Sequence, residues 1–272
     1  MKKFSFQRTL SCLFLVCLLS GCAAPDKEKE LPDRPVEELY NEAADLMDKK
    51  EYQEAVRRFE EVERQHPYSQ WATRAELMAG YAQYQALDYD AAISSLDSFI
   101  RIHPGNENLA YAYYLRALCD YERLADVRRD QSYAHNALAE LQTVVSRFPN
   151  SSYAKDAVLK MALVNDHLAG AEMEIGRDYL NRKLFTAAVG RFRTVVEKYQ
   201  TTSHVPEALH RLVECYLALG ITSEAKSAAA VLGYNFPGSR WYQDSYNLLV
   251  KNHLTPEEQP ESWLSKAFKT VF

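Results

Sequence analysis

Few residues of this chain are spaced to do chemistry, and the clearest is Cys22. It closes the tetrapeptide Leu19-Ser20-Gly21-Cys22, an apolar residue followed by two small ones and a thiol. Small side chains fit a signal-peptidase slot, and a cysteine thiolate is a nucleophile able to accept a diacylglyceryl group. The other candidates form no catalytic pattern. The histidines are His66, His103, His135, His167, His204, His210 and His253, and none belongs to an HExxH motif. No GxSxG, phosphate loop or glycine-rich dinucleotide turn occurs. His66 and His103 sit directly before proline at equivalent places, which reads as a structural role. Paired acids such as Glu60/Glu61 and Glu257/Glu258 fall in solvated stretches. Cys119 and Cys215 lie 96 residues apart inside apolar helical patterns. They are expected as buried free thiols, with a disulfide as the alternative. No CxxC or Cys/His zinc spacing exists. No catalytic residue, metal site or cofactor is therefore expected.

The element that positions Cys22 is an address segment. Lys2, Lys3 and Arg8 precede an apolar run from Leu10 to Leu19. About ten residues are too few for a membrane-spanning helix, which needs roughly 20, but they suit a signal peptide. With the tetrapeptide, residues 1–21 resemble a lipoprotein signal ending in a lipobox. The alternative is an ordinary secretory cleavage site with a chance cysteine. The next residue is Ala23. An Asp there commonly marks inner-membrane retention in Gram-negative lipoproteins, so its absence resembles an outer-membrane sorting signal. Loss of Lys2, Lys3 and Arg8, with no acid, takes the net charge from −5 to −8. That balance offers nothing to nucleic acid phosphates. Residues 22–35, polar and proline-punctuated, read as a lipidated tether. The whole chain is 47% apolar and 25% charged, with only 9 Gly and 10 Pro. This excludes disordered, collagen-like, disulfide-framework and multi-span membrane classes and favours long helices.

A short pattern recurs along the body. A large apolar residue is followed eight positions later by proline, in Phe59…Pro67, Leu96…Pro104 and Leu141…Pro149. Phe192…Gln200 and Ala229…Pro237 are weaker copies. Alanine stands four residues earlier each time, at Ala55, Ala92, Ala137, Ala188 and Ala225. An aromatic often comes three residues before that, at Tyr52, Tyr89 and Phe185. A small residue lies about sixteen before the large one, at Ala43, Gly80 and Gly176, and, allowing for an insertion, at Ala117. Small residues let two antiparallel helices approach, and proline ends the second helix. The pattern resembles the tetratricopeptide repeat. The expected fold is all-α, a right-handed helical-hairpin solenoid of about five such repeats. The spacings of 37, 45, 51 and 37 between proline positions mark two insertions. One is a charged loop around residues 126–132. The other makes residues 151–180 one long helix capped by Asn150/Ser151, with Gly170 and Gly176 as points of weakness. Three repeats over 36–165 and two over 166–254, closed by a helix near 241–253, are the expected division.

Tyrosines gather on the first helices of the second and third repeats. Leu77, Tyr81, Tyr84, Tyr111, Tyr114 and Tyr121 should line a concave groove suited to an extended peptide. Helix-to-helix packing is the alternative. Residues 255–272 are a polar linker and an amphipathic tail, with Trp263, Leu264, Ala267, Phe268, Val271 and Phe272 on one face. A solenoid cap, a partner-binding helix, a membrane-surface role and occupation of the chain's own groove all fit it.

Several stretches match beyond the generic repeat. They are Pro35-Val36-Glu37-Glu38-Leu39-Tyr40, Tyr113-Tyr114-Leu115-Arg116, Arg129-Asp130 and Arg147-Phe148-Pro149-Asn150-Ser151. With the lipobox and the irregular spacings, the chain resembles the BamD family of outer-membrane assembly lipoproteins, to about residue 253. The resemblance implies a non-enzymatic scaffold for folding and inserting β-barrel proteins, held by its lipid at the periplasmic face of the outer membrane. It implies as partners a POTRA domain of the central barrel subunit, other assembly lipoproteins and unfolded outer-membrane proteins, whose targeting strand typically ends in an aromatic residue. It also implies that Arg191, within Ala187-Ala188-Val189-Gly190-Arg191-Phe192, docks the barrel subunit. A bidentate guanidinium–carboxylate pair suits that role, and a solvated surface arginine is the alternative. Gln200 in place of proline puts the neighbouring turn in question. A scaffold for pilus-secretin assembly or cell-wall synthesis is the competing class, and an accessory to a wall-degrading enzyme is another.

Overall fold

The alanine and glycine positions of the repeat are where helices touch. Ala55, Ala92, Ala137, Ala188 and Ala225 are all fully buried. At Gly80 an added Cβ would lie 3.1 Å from Leu96, and at Gly176 one would lie 2.5 Å from the Phe192 ring. Glycine is needed there for close approach rather than for backbone freedom. The computed structural model describes residues 33–257, 262–264 and 267. The signal segment, Cys22 and most of the tether lie outside the described residues, as do Phe268, Val271 and Phe272.

The described residues hold eleven helices: α1 (Val36–Asp48), α2 (Tyr52–Gln65), α3 (Gln70–Gln85), α4 (Tyr89–Ile102), α5 (Leu109–Tyr121), α6 (Ser132–Arg147), α7 (Ser152–Asn181), α8 (Phe185–Lys198), α9 (Val205–Ala218), α10 (Thr222–Asn235) and α11 (Arg240–Lys251). Each packs on the next, giving five hairpins and α11. The fold is thus all-helical and built of helical hairpins, as the repeat required. First helices also touch one another, α1 to α3, α3 to α5, α5 to α7 and α9 to α11.

The turn inside four of the five hairpins is one motif, the exception being the charged loop between α5 and α6. In the first, the Glu51 N–H donates to the Leu46 carbonyl and the Lys50 N–H to Met47, with Lys50 at φ 63°. Leu87, Lys183 and Gly220 take the same left-handed position after α3, α7 and α9. These are Schellman closures. The turn between hairpins also repeats. The Ser69, Ser151 and Ser239 side chains accept from the N–H groups of Ala72, Ala154 and Tyr242 at 3.0, 3.1 and 3.2 Å. Each serine stands two residues after Pro67, Pro149 or Pro237, so proline ends one helix and serine caps the next. Ser151, not Asn150, is the cap of α7. At Gln200 the backbone enters the turn as it does at the prolines, but α9 starts only at Val205 and has no side-chain cap. The Tyr199 N–H reaches Val195 at 3.0 Å and the Thr202 N–H reaches Tyr199 at 3.1 Å, as His66 and Ser69 do after α2.

α7 is uninterrupted over 30 residues, or ~45 Å at 1.5 Å per residue. Gly170 and Gly176 do not break it. Gly176 admits Phe192, and at Gly170 an added Cβ would lie 3.3 Å from the His204 ring and 3.6 Å from Val127. The charged insertion is folded onto this helix. Arg128 pairs with Glu174 at 2.9 Å, and Gln131 meets His167 at 2.7 Å. The extra length of α7 joins two cores. Val164 and Leu168 belong to one shared with α5 and α6, while Ala169 and Met173 belong to the C-terminal one around Phe192 and Leu212. Because α8 has 14 residues, it cannot cover all of α7. Val158, Leu159 and Leu163 are 52%, 66% and 60% exposed on the uncovered half.

Candidate functional site: an aromatic face and an arginine

α3, α5, α7 and α11 each carry an aromatic in the opening turn, at Trp71, Tyr111, Tyr153 and Trp241, whereas α9 does not. Trp71 of α3 meets Tyr40 of α1 at 4.8 Å, and Trp241 of α11 meets His210 of α9 at 5.3 Å. Tyr153 of α7 does the same to α5, lying 5.4 Å from Tyr111 and stacked 5.3 Å from Tyr114. Tyr111 in turn lies 6.5 Å from Tyr81 of α3. A row of tyrosines therefore crosses the first helices of three successive hairpins, α3, α5 and α7. Tyr153 was not among the expected groove residues. Its signal was readable, since Pro67-Tyr68-Ser69-Gln70-Trp71, Pro149-Asn150-Ser151-Ser152-Tyr153 and Pro237-Gly238-Ser239-Arg240-Trp241 share one pattern.

The expected residues divide. Tyr81, Tyr84, Tyr111, Tyr114 and Tyr121 are all half-buried, with part of each ring at the surface. Leu77 is different: it is 8% exposed and packs among Ala92, Leu96, Phe99 and Leu115. It forms the floor beneath the tyrosines rather than the lining, because Gly80 one turn on draws Leu96 close. The Tyr84 hydroxyl donates to Glu122 at 3.4 Å, and the Tyr114 hydroxyl donates to Asp156. Burial first, and then these carboxylates, push both phenols above the usual tyrosine range. Lys160 pairs with Asp156 at 3.5 Å and sits 4.8 Å over the Tyr121 ring. The face is thus apolar rings edged by two carboxylates and one ammonium. The Tyr84 and Tyr114 hydroxyls therefore stay neutral at any physiological pH.

Arg191, on α8, meets Glu172 of α7 at 3.1 and 3.4 Å. Hydrogen bonding to that carboxylate raises the guanidinium pKa further. Glu172 also lines a cavity of about 500 Å³ with Arg128, Arg129, Tyr179 and Arg182, between α7 and the charged loop. An incoming carboxylate at Arg191 would share it with Glu172. Arg193, two residues on, points elsewhere. It pairs with Glu197 at 2.7 Å and lies 4.4 Å over the Trp263 ring. The described tail residues therefore pack on the C-terminal hairpins and not on the tyrosine face. Leu264 is fully buried in the C-terminal core. Occupation of the tyrosine face by Trp263 and Leu264 is excluded, since the Arg193 and Tyr216 side chains hold the indole.

The remaining reactive groups are structural. Cys119 and Cys215 are buried free thiols, each pushed up to about 12 by burial. His66 and His103 close α2 and α4 through their backbone N–H groups, and the His103 ring meets Glu76 at 2.6 Å. His210 is buried between α9 and α11, 2.8 Å from the Ser245 hydroxyl. Among the described residues, no group of three or more His, Cys, Asp or Glu side chains could hold a metal ion. None of the described helices is long and apolar enough to cross a membrane.

Together these features define a helical-hairpin solenoid of the tetratricopeptide type. The family model described as YfiO, outer membrane lipoprotein, matches residues 32–232. The outer membrane protein assembly factor BamD of Caulobacter vibrioides is 52% identical over 254 residues, covering 93% of this chain and 83% of that one. The BamD of Rickettsia prowazekii is 45% identical over 246 residues, covering 90% and 98%. The chain belongs to the YfiO/BamD family of outer-membrane protein assembly factors. Among solved structures, the type IV pilus biogenesis factor PilW aligns at a TM-score of 0.26 and 15% identity, over 78% of this chain and 98% of that one. That likeness is too loose to bear on function.

Proposed function

We propose that this assembly factor is a lipid-anchored scaffold on the periplasmic face of the outer membrane, and that it works with two faces. The tyrosine face receives the targeting strands of unfolded outer-membrane proteins. The α8 face docks a POTRA domain of the central barrel subunit, alongside other assembly lipoproteins. The observation that carries the reading is the row Tyr81–Tyr111–Tyr153–Tyr114 across α3, α5 and α7. Rings offer large apolar area at little side-chain entropy cost, and their edges accept another aromatic. An extended strand presents alternate side chains to one surface, so it can place aromatics along such a row.

The test is a labelled peptide of alternating aromatic residues ending in phenylalanine. Tyr111→Ala with Tyr153→Ala should weaken its binding by tenfold or more, about 1.4 kcal/mol, with Tm measured in parallel. Unchanged affinity in a folded double variant would remove the face from the reading.

Docking is tested separately. Arg191→Glu places a carboxylate beside Glu172 and opposite any incoming acid. It should weaken binding of the barrel subunit's POTRA domain about tenfold more than Arg193→Glu does. Arg193→Glu instead disturbs the Trp263 stack. Equal losses in a pull-down titration would refute the assignment of Arg191.

A further inference from the structure

The stack of helices has its end in α11. It packs on α9 and α10, and it closes with the hairpin turn motif, the Leu254 N–H to Leu249 and the His253 N–H to Val250. The chain beyond nevertheless returns to the body. The Ser262 hydroxyl donates to Glu224 at 2.9 Å, and the Trp263 indole N–H donates to the Tyr216 hydroxyl at 3.1 Å. Arg193 covers the indole, and Leu264 is fully buried. The Gln200 amide donates to the Ala267 carbonyl at 3.2 Å. One buried leucine, one stacked indole and a carbonyl held by a side chain are how a short peptide ligand is seated on a groove.

We propose that the surface between α8, α9 and α10 is a docking slot for a short helical segment bearing adjacent tryptophan and leucine, and that Ser262, Trp263, Leu264 and Ala267 fill it in cis as a displaceable occupant. α11 already caps the solenoid, so the tail is not needed to end it. Seven residues, 255–261, connect Leu254 to Ser262. A connection that short holds the segment at high effective concentration even though its anchors are few. Arg193 keeps Glu197 when the indole leaves, so emptying the slot strands no charge. The slot is distinct from the Arg191 contact, because two residues turn a helix by about 200°. It stands whether or not Arg191 docks a partner. A segment of the same chemistry on another protein would compete with the tail, its apparent Kd raised by the fraction of time the slot is filled.

The test uses the full lipoprotein in detergent micelles and a labelled peptide of residues 255–272. The chain carrying Trp263→Ala and Leu264→Ala should bind the peptide with micromolar Kd by fluorescence anisotropy. The unsubstituted chain should bind it at least tenfold more weakly. A peptide with the same two alanines should not bind. No binding to a double variant whose circular dichroism and Tm are intact would overturn the proposal, as would equal binding to both chains. If the double variant does not fold, hydrogen exchange on the unsubstituted chain decides. Amides of 262–267 should exchange at least 100-fold faster than those around Tyr216. Equal protection would make the tail an integral part of the core and overturn the slot.

Discussion

Cys22→Ala should move the chain from the membrane fraction to the soluble fraction. The expected change is nearly complete, because the anchor is entirely hydrophobic. Each acyl CH₂ buried in a bilayer contributes about 0.8 kcal/mol, and one chain alone holds a protein only marginally. A diacylglyceryl group supplies two chains at one residue, which is enough for lasting attachment. None of the described helices could substitute for it by spanning the bilayer. The measurement is carbonate-washed membrane fractionation, with metabolic labelling by palmitate. Retention of the unlabelled variant in washed membranes would show that another element anchors the chain. Folding of residues 36–257 should be unaffected, so circular dichroism of the released variant should match that of the lipoprotein.

Phe192→Ala should cost about 3–5 kcal/mol of stability. Phe192 is fully buried beside Met173, Ala188 and Leu212 in the C-terminal core. Its ring presses against the α7 backbone where Gly176 has no side chain. Because whole-protein stability is typically 5–15 kcal/mol, this one truncation threatens the C-terminal hairpins. The same geometry fixes the sign of a second change. Gly176→Ala would ordinarily favour a helix by up to about 1 kcal/mol. Here the new Cβ meets the Phe192 ring at 2.5 Å, so overpacking of about 1–3 kcal/mol should outweigh that gain. Combining Gly176→Ala with Phe192→Leu should recover part of the loss, with a coupling above about 0.5 kcal/mol. Urea denaturation of the four chains measures it. Strictly additive losses would show that the two positions do not share one contact.

The Gly176–Phe192 contact also shows what spacing can carry. The interval of about sixteen residues from small to large residue fixed which helix faces meet. The structure fills those intervals with Gly80 against Leu96 and Gly176 against Phe192. The extra residues before Gln200 gave the length of α7, and Ser151 gave its start. All-helical hairpins, two buried thiols and membership of an assembly-lipoprotein family were legible for the same reason. Each is written in recurring local patterns, where backbone geometry ties neighbouring side chains to one face.

The contacts that shape the two proposed faces were not legible in this way. Leu77 and Tyr81 lie one turn apart, yet one is core floor and the other reaches the surface. Both sides of an interior helix are apolar, and only the neighbouring helix determines which stays open. Arg191 and Arg193 look alike in sequence. Glu172, 19 residues away, takes the first, and Trp263 takes the second. The tail's destination rests on Tyr216, 47 residues from Trp263, and on Gln200, 67 residues from Ala267. The missing proline there left a side-chain amide free to donate. Such pairings depend on how far one hairpin is rotated and shifted against the next. Local periodicity constrains a helix against its neighbour in sequence. It carries no information on which distant side chain the stacked solenoid finally sets opposite it.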